Sequence, residues 1–240
     1  MVFRHAYIFP ITVGVWFIFT FLLTYGIAVL NDDVVPVFPY ISDTGTWAPE
    51  SCIFGLMLNL GALIMAVTIY IRYRQVREIS EKNNVDQKFI NYNTISLYLG
   101  YLAAFGICIV GNFQETNVFS VHVMGALLCF GLGFVFQCLQ TRISFALYPI
   151  VGSKSINIIR LICSLICTLT FLITFIFAGL SIKEFTGEDK TKWNEEDGGY
   201  TLHFVSTVAE WILAIFTMIY IVTFTKEFKT ITIKEPEITV

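Results

Sequence analysis

The sequence predicts an all-α polytopic membrane protein with six transmembrane helices and both termini in the cytosol. Three observations carry that prediction. First, the 240 residues are 56% hydrophobic and 14% charged, where soluble domains run about 25% charged, and the mean hydropathy is +0.72. Second, six apolar segments fall at 7–30, 51–71, 92–111, 119–140, 157–180 and 201–225, each long enough to cross the roughly 30 Å hydrocarbon core as a helix. Third, the short loops between them alternate between basic and acidic. In lipid the backbone must satisfy its own hydrogen bonds, as a helix or a closed barrel. The ten-residue alternating strands of a barrel are absent, so residues 1–240 are read as a single six-helix domain.

The first segment is too long for the apolar core of a signal peptide and is followed by Asn31-Asp32-Asp33 rather than small residues, so it reads as a retained helix. Pro39 to Gly55 comes next, with Pro39, Pro49, Asp43, Glu50, Tyr40 and Trp47 but no base. Its prolines do not suit a helix interior, and its aromatics suit a membrane–water interface. It reads as a packed loop that caps the bundle, or as a lip for a lipid headgroup or ion.

Arg72, Arg74, Arg77, Lys82 and Lys88 follow the second segment. They read as positive-inside residues lying against anionic lipid heads. Tyr73-Arg74-Gln75-Val76 also fits a tyrosine-based sorting signal. The short stretch Asn112–Asn117 makes helices three and four antiparallel neighbours. Gly125, Gly131 and Gly133 let helix four approach others closely. Helix five has no acid or histidine in its interior and is expected to be the most lipid-exposed.

Arg142, Lys154, Arg160, Lys226, Lys229 and Lys234 fall on the side of Arg4 and the second loop. The opposite side has Lys183, Lys190 and Lys192, outnumbered by Glu184, Glu188, Asp189, Glu195, Glu196 and Asp197. Termini therefore face the cytosol, and Pro39–Gly55 the lumen or exterior. In Trp193–Tyr200, the residues Asn194, Glu196 and Asp197 have the oxygens of calcium ligands but not the EF-hand ladder. They read as acids favouring the start of helix six. From Thr230 a floppy tail is expected, ending in Ile238-Thr239-Val240, which weakly resembles a PDZ-type end.

All six cysteines fall inside predicted helices, which argues against a disulfide framework, although Cys52 and Cys108 lie near the same helix ends. The scattered basic residues exclude a nucleic-acid face. Ionisable groups in spanning helices face the bundle or a wet cavity, and Glu210 reads as the one deep acid. His203 shares its helix face, seven residues earlier. With His122, Asn112 and Asn59, and with Asp43 and Glu50 from the loop, these residues make a candidate polar pocket on the exoplasmic side. Three chemistries fit it. A metal could be held by His122, His203 and an acid, though without local ligand spacing. Glu210 or His203 could act as a base on a lipid, though no nucleophile accompanies them. A hydrogen-bond network tying helices two, three, four and six is the structural alternative. No cofactor, metal or catalytic residue is assigned.

Several stretches together resemble the damage-regulated autophagy modulator (DRAM) proteins of the Frag/DRAM/Sfk membrane family. They are Pro39–Gly55, Ile69-Tyr70-Ile71-Arg72-Tyr73, Gly111-Asn112-Phe113-Gln114, His122-Val123-Met124-Gly125-Ala126, and Trp193–Asp197 through Leu202-His203 to Ala209-Glu210-Trp211. The resemblance implies a six-helix protein of lysosomal or late endosomal membranes that regulates autophagy and influences cell death, without catalysis. It is nearer the DRAM branch than the branch linked to GPI-anchor remodelling. Membrane lipids and proteins of the autophagy and lysosome pathway are the implied partners. The alternatives are a lipid-binding, lipid-remodelling or lipid-translocating protein, and an ion pathway. Plasma membrane, Golgi and ER are the alternative locations.

Overall fold

In the computed structural model, which describes residues 2–234, six long helices carry the chain: α1 Ile8–Leu30, α2 Glu50–Lys82, α3 Gln87–Asn112, α4 Phe119–Leu147, α5 Lys154–Glu184 and α6 Tyr200–Phe228. All six are long and apolar enough to cross a membrane. Each packs on its neighbour in chain order, and α6 returns to α1, so the bundle closes. The helices outrun the apolar segments where polar residues continue the same face. On α2 the buried stripe Leu58, Ala62, Met65, Ile69, Arg72 and Val76 keeps helical spacing well past Ile71.

Local signals set the helix ends. Glu50 lies in the first turn of α2 and Lys82 in its last, the arrangement the helix dipole favours. Asp86 caps α3 by accepting from Lys88 N at 2.9 Å, and Lys88 holds its carboxyl below the usual range. Ser153 caps α5 by accepting from Ile156 N at 3.3 Å. Gly199 caps α6 with φ +63°, and a Cβ there would lie 2.8 Å from Ser181 O, so glycine suits both the left-handed backbone and the close approach.

α3 and α4 cross closely. A Cβ on Gly106 would meet Cys129 N at 2.5 Å and Gly125 O at 2.6 Å. Beside that crossing, Leu127–Leu132 of α4 widens into a π-helical turn. The helix least enclosed by protein is α4, with 17% of its apolar window buried, rather than α5, with 28%. α5 buries a stripe that includes Arg160, Cys163, Cys167, Thr170 and Thr174 and packs extensively on α6.

Two strands, β1 Val2–Phe3 and β2 Ile233–Lys234, pair antiparallel with Val2 opposite Lys234. Both described ends of the chain therefore meet at one end of the bundle, the terminal end. Pro39–Gly55 lies at the opposite, loop end. The tail expected to be floppy from Thr230 is thus paired at Ile233–Lys234, whereas Ile238-Thr239-Val240 lies outside the described residues. Tyr73-Arg74-Gln75-Val76 is helical, with Gln75 and Val76 buried. All six cysteines are free thiols.

Candidate functional site

The Pro39–Gly55 loop folds down onto the bundle and is pinned by α6. Glu210 Oε2 accepts from Ile41 N at 2.7 Å, Tyr40 donates its hydroxyl to Ser206 Oγ at 2.7 Å, and Trp211 Nε1 donates to Pro39 O at 2.8 Å. Within the loop, Thr44 donates to Ile41 O at 2.7 Å and lies 3.0 Å from Thr24 of α1. Asp43 is 1% exposed. Its Oδ2 accepts from Tyr40 N at 3.1 Å, and its Oδ1 has no partner. Burial, and then the nearby charges of Glu115 and Glu210, push the Asp43 carboxyl well above its usual range. Burial also raises the Tyr40 phenol.

The second long loop covers the first from the side. Trp193 stacks on His203 at 4.2 Å between ring centroids, and Tyr40 meets the same imidazole edge-on at 5.1 Å. Trp47 Nε1 donates to Thr191 Oγ1 at 3.4 Å, and Lys192 pairs with Asp32 at 3.5 Å. His203 is therefore an aromatic packing element, with Nδ1 buried and unpartnered. Asn194 and Asp197 close a reciprocal capping box on the short turn Glu195–Asp197. The acids expected to start α6 thus cap that turn instead, and α6 begins at the glycine pair that follows.

The seven candidate residues do not converge on one pocket. Glu210 and His122 face a cavity along the bundle axis. Glu50 is buried toward α1, with Asn31 Nδ2 3.5 Å from its Oε2 and its Oε1 unpartnered. Asn59 and Asn112 exchange hydrogen bonds of 3.2 and 3.0 Å between α2 and α3, away from the cavity lining. Among the described residues no three His, Cys, Asp or Glu side chains assemble as a metal-ligand set.

The cavity encloses about 90 Å³ of open space between α1, α2, α3, α4 and α6. Its walls are mainly apolar, including Phe17, Phe54, Met65, Ile107, Phe136 and Met218. Ser42, His122 and Glu210 form a polar roof under the loop, and Gln137 and Thr217 are polar groups deeper in. His122 Nδ1 lies 2.6 Å from Phe113 O. A carbonyl only accepts, so Nδ1 carries a proton.

The largest polar cluster was invisible as a site in the sequence and lies at the terminal end. Arg72 of α2 and Arg160 of α5 are 1% and 0% exposed, and both pair with Glu227 of α6. Arg72 also donates to Gln75 Oε1 at 2.8 Å, Gln140 Oε1 at 3.1 Å and Ser144 Oγ at 3.1 Å. Arg160 donates to Glu227 Oε1, Ser144 Oγ and Thr223 Oγ1, all at 2.8 Å. Gln140 passes the network to Ser96 of α3 at 2.6 Å. Both guanidiniums lie near the Phe224 ring, at 5.0 and 4.7 Å from its centroid. Two cations thus share one carboxylate, and α2 through α6 are tied together there.

This corrects two expectations. Arg72 turns into the bundle instead of lying against lipid heads, and Glu210 is joined by Glu50 and Glu227 as buried acids of the helices. The signal was present in the polar face Arg72, Gln75 on α2 and Gln140, Ser144 on α4. Helix-face spacing lines up each pair, but only the crossing of the helices shows that they meet.

A closed ring of six membrane-length helices, with polar clusters at both ends and an apolar cavity between, defines a polytopic membrane protein that holds together by internal polar pairing. The chain belongs to the Frag1/DRAM/Sfk1/Cwh43P N-terminal domain family, whose model matches residues 5–231. It is 37% identical over 228 residues to DNA damage-regulated autophagy modulator protein 2 of Bos taurus, covering 94% of this chain and 85% of that protein. It is also 37% identical over 227 residues to DNA damage-regulated autophagy modulator protein 1 of Homo sapiens, covering 94% and 92%. Against modulator of macroautophagy TMEM150B-B of Xenopus laevis, identity is 31% over 203 residues, covering 85% and 74%. No solved structure matches the chain.

Proposed function

We propose that this protein is a multi-pass regulator of autophagy in lysosomal or late endosomal membranes, acting through its folded membrane domain and without catalysis of its own. One observation carries the reading: relatives named as autophagy modulators align with 94% of this chain, loops and helices alike. The side-chain arrangement supports the non-catalytic part. Polar groups of the loop end hold the loop, as Glu210 does through Ile41 N, or pack against aromatic rings, as His203 does. Membrane lipids and proteins of the autophagy pathway are the partners this role requires.

In this reading the terminal end faces the cytosol, since the basic residues of the second and fourth loops and of the tail cluster there. The loop end then faces the lumen. The test is a tagged protein imaged against lysosomal markers, with autophagic flux measured after its loss. Co-localisation with those markers and a changed flux are expected. Unchanged flux together with a location confined to the plasma membrane would remove the proposal.

A further inference from the structure

We infer that the Pro39–Gly55 loop is a proton-operated latch, held closed by a proton that Asp43 shares with Glu115 and released when that proton leaves. The latch is a property of the chain itself, so it goes beyond the regulatory reading and stands or falls apart from it.

The latch begins with two carboxyls in one place. Asp43, in the short turn Asp43–Gly45 of the loop, is 1% exposed. Glu115 is half-buried in the stretch between α3 and α4. It lies 3.4 Å from the Ser42 hydroxyl, and its carboxyl is within hydrogen-bond reach of the Asp43 carboxyl. Asp43 Oδ2 accepts from Tyr40 N at 3.1 Å, and Oδ1 has no donor. Ionised carboxylates only accept, so the two groups bond to each other only when one carries a proton. Two such charges side by side in a buried site do not ionise together without a large cost, and the closed loop therefore binds one proton between them. Burial and the nearby acids Glu115 and Glu210 hold the Asp43 carboxyl well above its usual range, in keeping with a proton held there.

The neighbouring elements offer no cation in place of that proton. Among the described residues neither Asp43 nor Glu115 has a Lys or Arg within ion-pair distance. α6 brings Glu210, a third acid, and His203, which is held between Trp193 and Tyr40. α4 brings His122, committed through Nδ1 to Phe113 O. α1 meets the loop through Thr24 and Thr44. In the second long loop Lys192 pairs with Asp32, and Lys190 lies over the Phe119 ring at 5.2 Å. The pattern recurs where the loop enters α2: the neighbour of the fully buried Glu50 carboxyl is another acid, Asp33.

Loss of the shared proton puts like charges together out of water, and separation relieves them. Glu115, half-buried, gives the proton a way out to solvent. The moving part is the loop, which α6 holds through hydrogen bonds to Pro39, Tyr40 and Ile41. Ile41 and Ser42 line the axial cavity, so a lifted loop uncovers that cavity and Glu210. Closure is complete at low pH and is lost as pH rises through the folded pKa of the pair, the ratio of open to closed growing about tenfold per pH unit for one proton. With the loop end in the lumen, the latch is shut in an acidic organelle and opens as the lumen approaches neutrality.

The test is hydrogen exchange of the full chain in phosphatidylcholine nanodiscs at pH 5 and pH 7.5, read on peptides that contain Ile41 to Thr46. The amides of Ile41, Asp43, Gly45 and Thr46 are hydrogen-bonded in the closed loop. Wild type is compared with Asp43→Asn at each pH, so the intrinsic pH dependence of exchange cancels. Asparagine keeps an oxygen for Tyr40 N and offers an N–H to Glu115, and so mimics the protonated latch. We expect equal loop exchange at pH 5, and loop exchange roughly tenfold faster or more in wild type than in Asp43→Asn at pH 7.5. Peptides of α5 should not differ. Glu115→Gln, at a half-buried position, should likewise keep the loop protected at pH 7.5. Loop exchange at pH 7.5 that is equal in wild type and either folded variant would overturn the inference. So would a wild-type loop no less protected at pH 7.5 than at pH 5, after correction for the intrinsic rate. The corrected wild-type comparison needs no variant, so it decides the question even if both substitutions impair folding.

Discussion

Replacing Glu227 by alanine should be among the most destabilising single changes this protein can suffer. The carboxylate is shared by Arg72 and Arg160, both fully buried. Removing one partner of a buried pair costs about 3–5 kcal/mol, because the other charge is left uncompensated. Here two guanidiniums are left, so the low end of that range is a floor. For a chain of this length each kcal/mol lowers Tm by roughly 2–4 °C, and the expected fall is roughly 6–20 °C. Thermal unfolding of the purified protein, followed by tryptophan fluorescence in detergent, reads it directly.

A second variant sharpens the test. Arg160→Met removes the surplus cation and leaves Arg72 balanced by Glu227, so its fall should be distinctly smaller than that of Glu227→Ala. Glu78→Ala removes the half-exposed partner of Arg74 on α2 and should leave Tm unchanged, since such pairs contribute little. A Glu227→Ala protein that melts with the wild type, or Arg160→Met melting below it, would refute the charge accounting.

Other consequences are smaller but as direct. Gly106→Ala places a methyl group 2.5 Å from Cys129 N and 2.6 Å from Gly125 O; overpacking of this kind costs about 1–3 kcal/mol, so Tm should fall measurably, and an unchanged melt would show that α3 and α4 do not cross there. His203→Phe should keep both aromatic contacts and preserve stability, whereas His203→Ala loses two contacts worth about 0.5–1.5 kcal/mol each; equal loss in both variants would mean that the imidazole nitrogens, not the ring faces, matter. Asp43 is raised in the fold by burial and by Glu115 and Glu210, so the native state holds a proton that the unfolded chain releases near pH 4. Its contribution is full below that value and is lost as pH rises through the folded pKa. Tm should therefore be higher at pH 5 than at pH 7.5, and Asp43→Asn, which keeps an oxygen for Tyr40 N, should flatten the difference; an identical pH response in both proteins would exclude Asp43 as its source.

The six spans were readable because each depends on one local property, an apolar run of sufficient length. The loop at Pro39–Gly55 was readable as a cap because its prolines and aromatics exclude most other roles. What the sequence concealed is which polar residues face each other. Arg72 and Arg160 each follow the pattern of a cytosolic anchor, and Glu227 that of a tail acid beside Lys226. Their burial depends on α2, α5 and α6 converging, which no local spacing encodes. The candidate pocket failed in the opposite way. Depth and shared helix face put Glu210 and His203 together, but a stacked tryptophan 4.2 Å away holds His203 in an aromatic layer, while Glu210 looks into the cavity. Asn59 and Asn112 find each other across α2 and α3, outside it.

The two ends of the bundle differ in how fully their charges are matched, and that difference locates where a signal can act. At the terminal end both guanidiniums are ion-paired, sharing the one Glu227 carboxylate. Moving α2, α5 or α6 apart there would strand a buried charge, so this end behaves as a clamp. At the loop end, Asp43 Oδ1, Glu50 Oε1 and His203 Nδ1 are buried without partners. An unmade buried hydrogen bond costs roughly 1–3 kcal/mol, so each of these groups works against the closed arrangement of the loop. A region of low local stability opens most readily, and a ligand that binds one arrangement better shifts the balance by its difference in affinity. Glu210 connects loop and cavity, since its Oε2 accepts from Ile41 N and the residue lines the cavity. Whatever fills the cavity acts on the same carboxylate that keeps the loop closed.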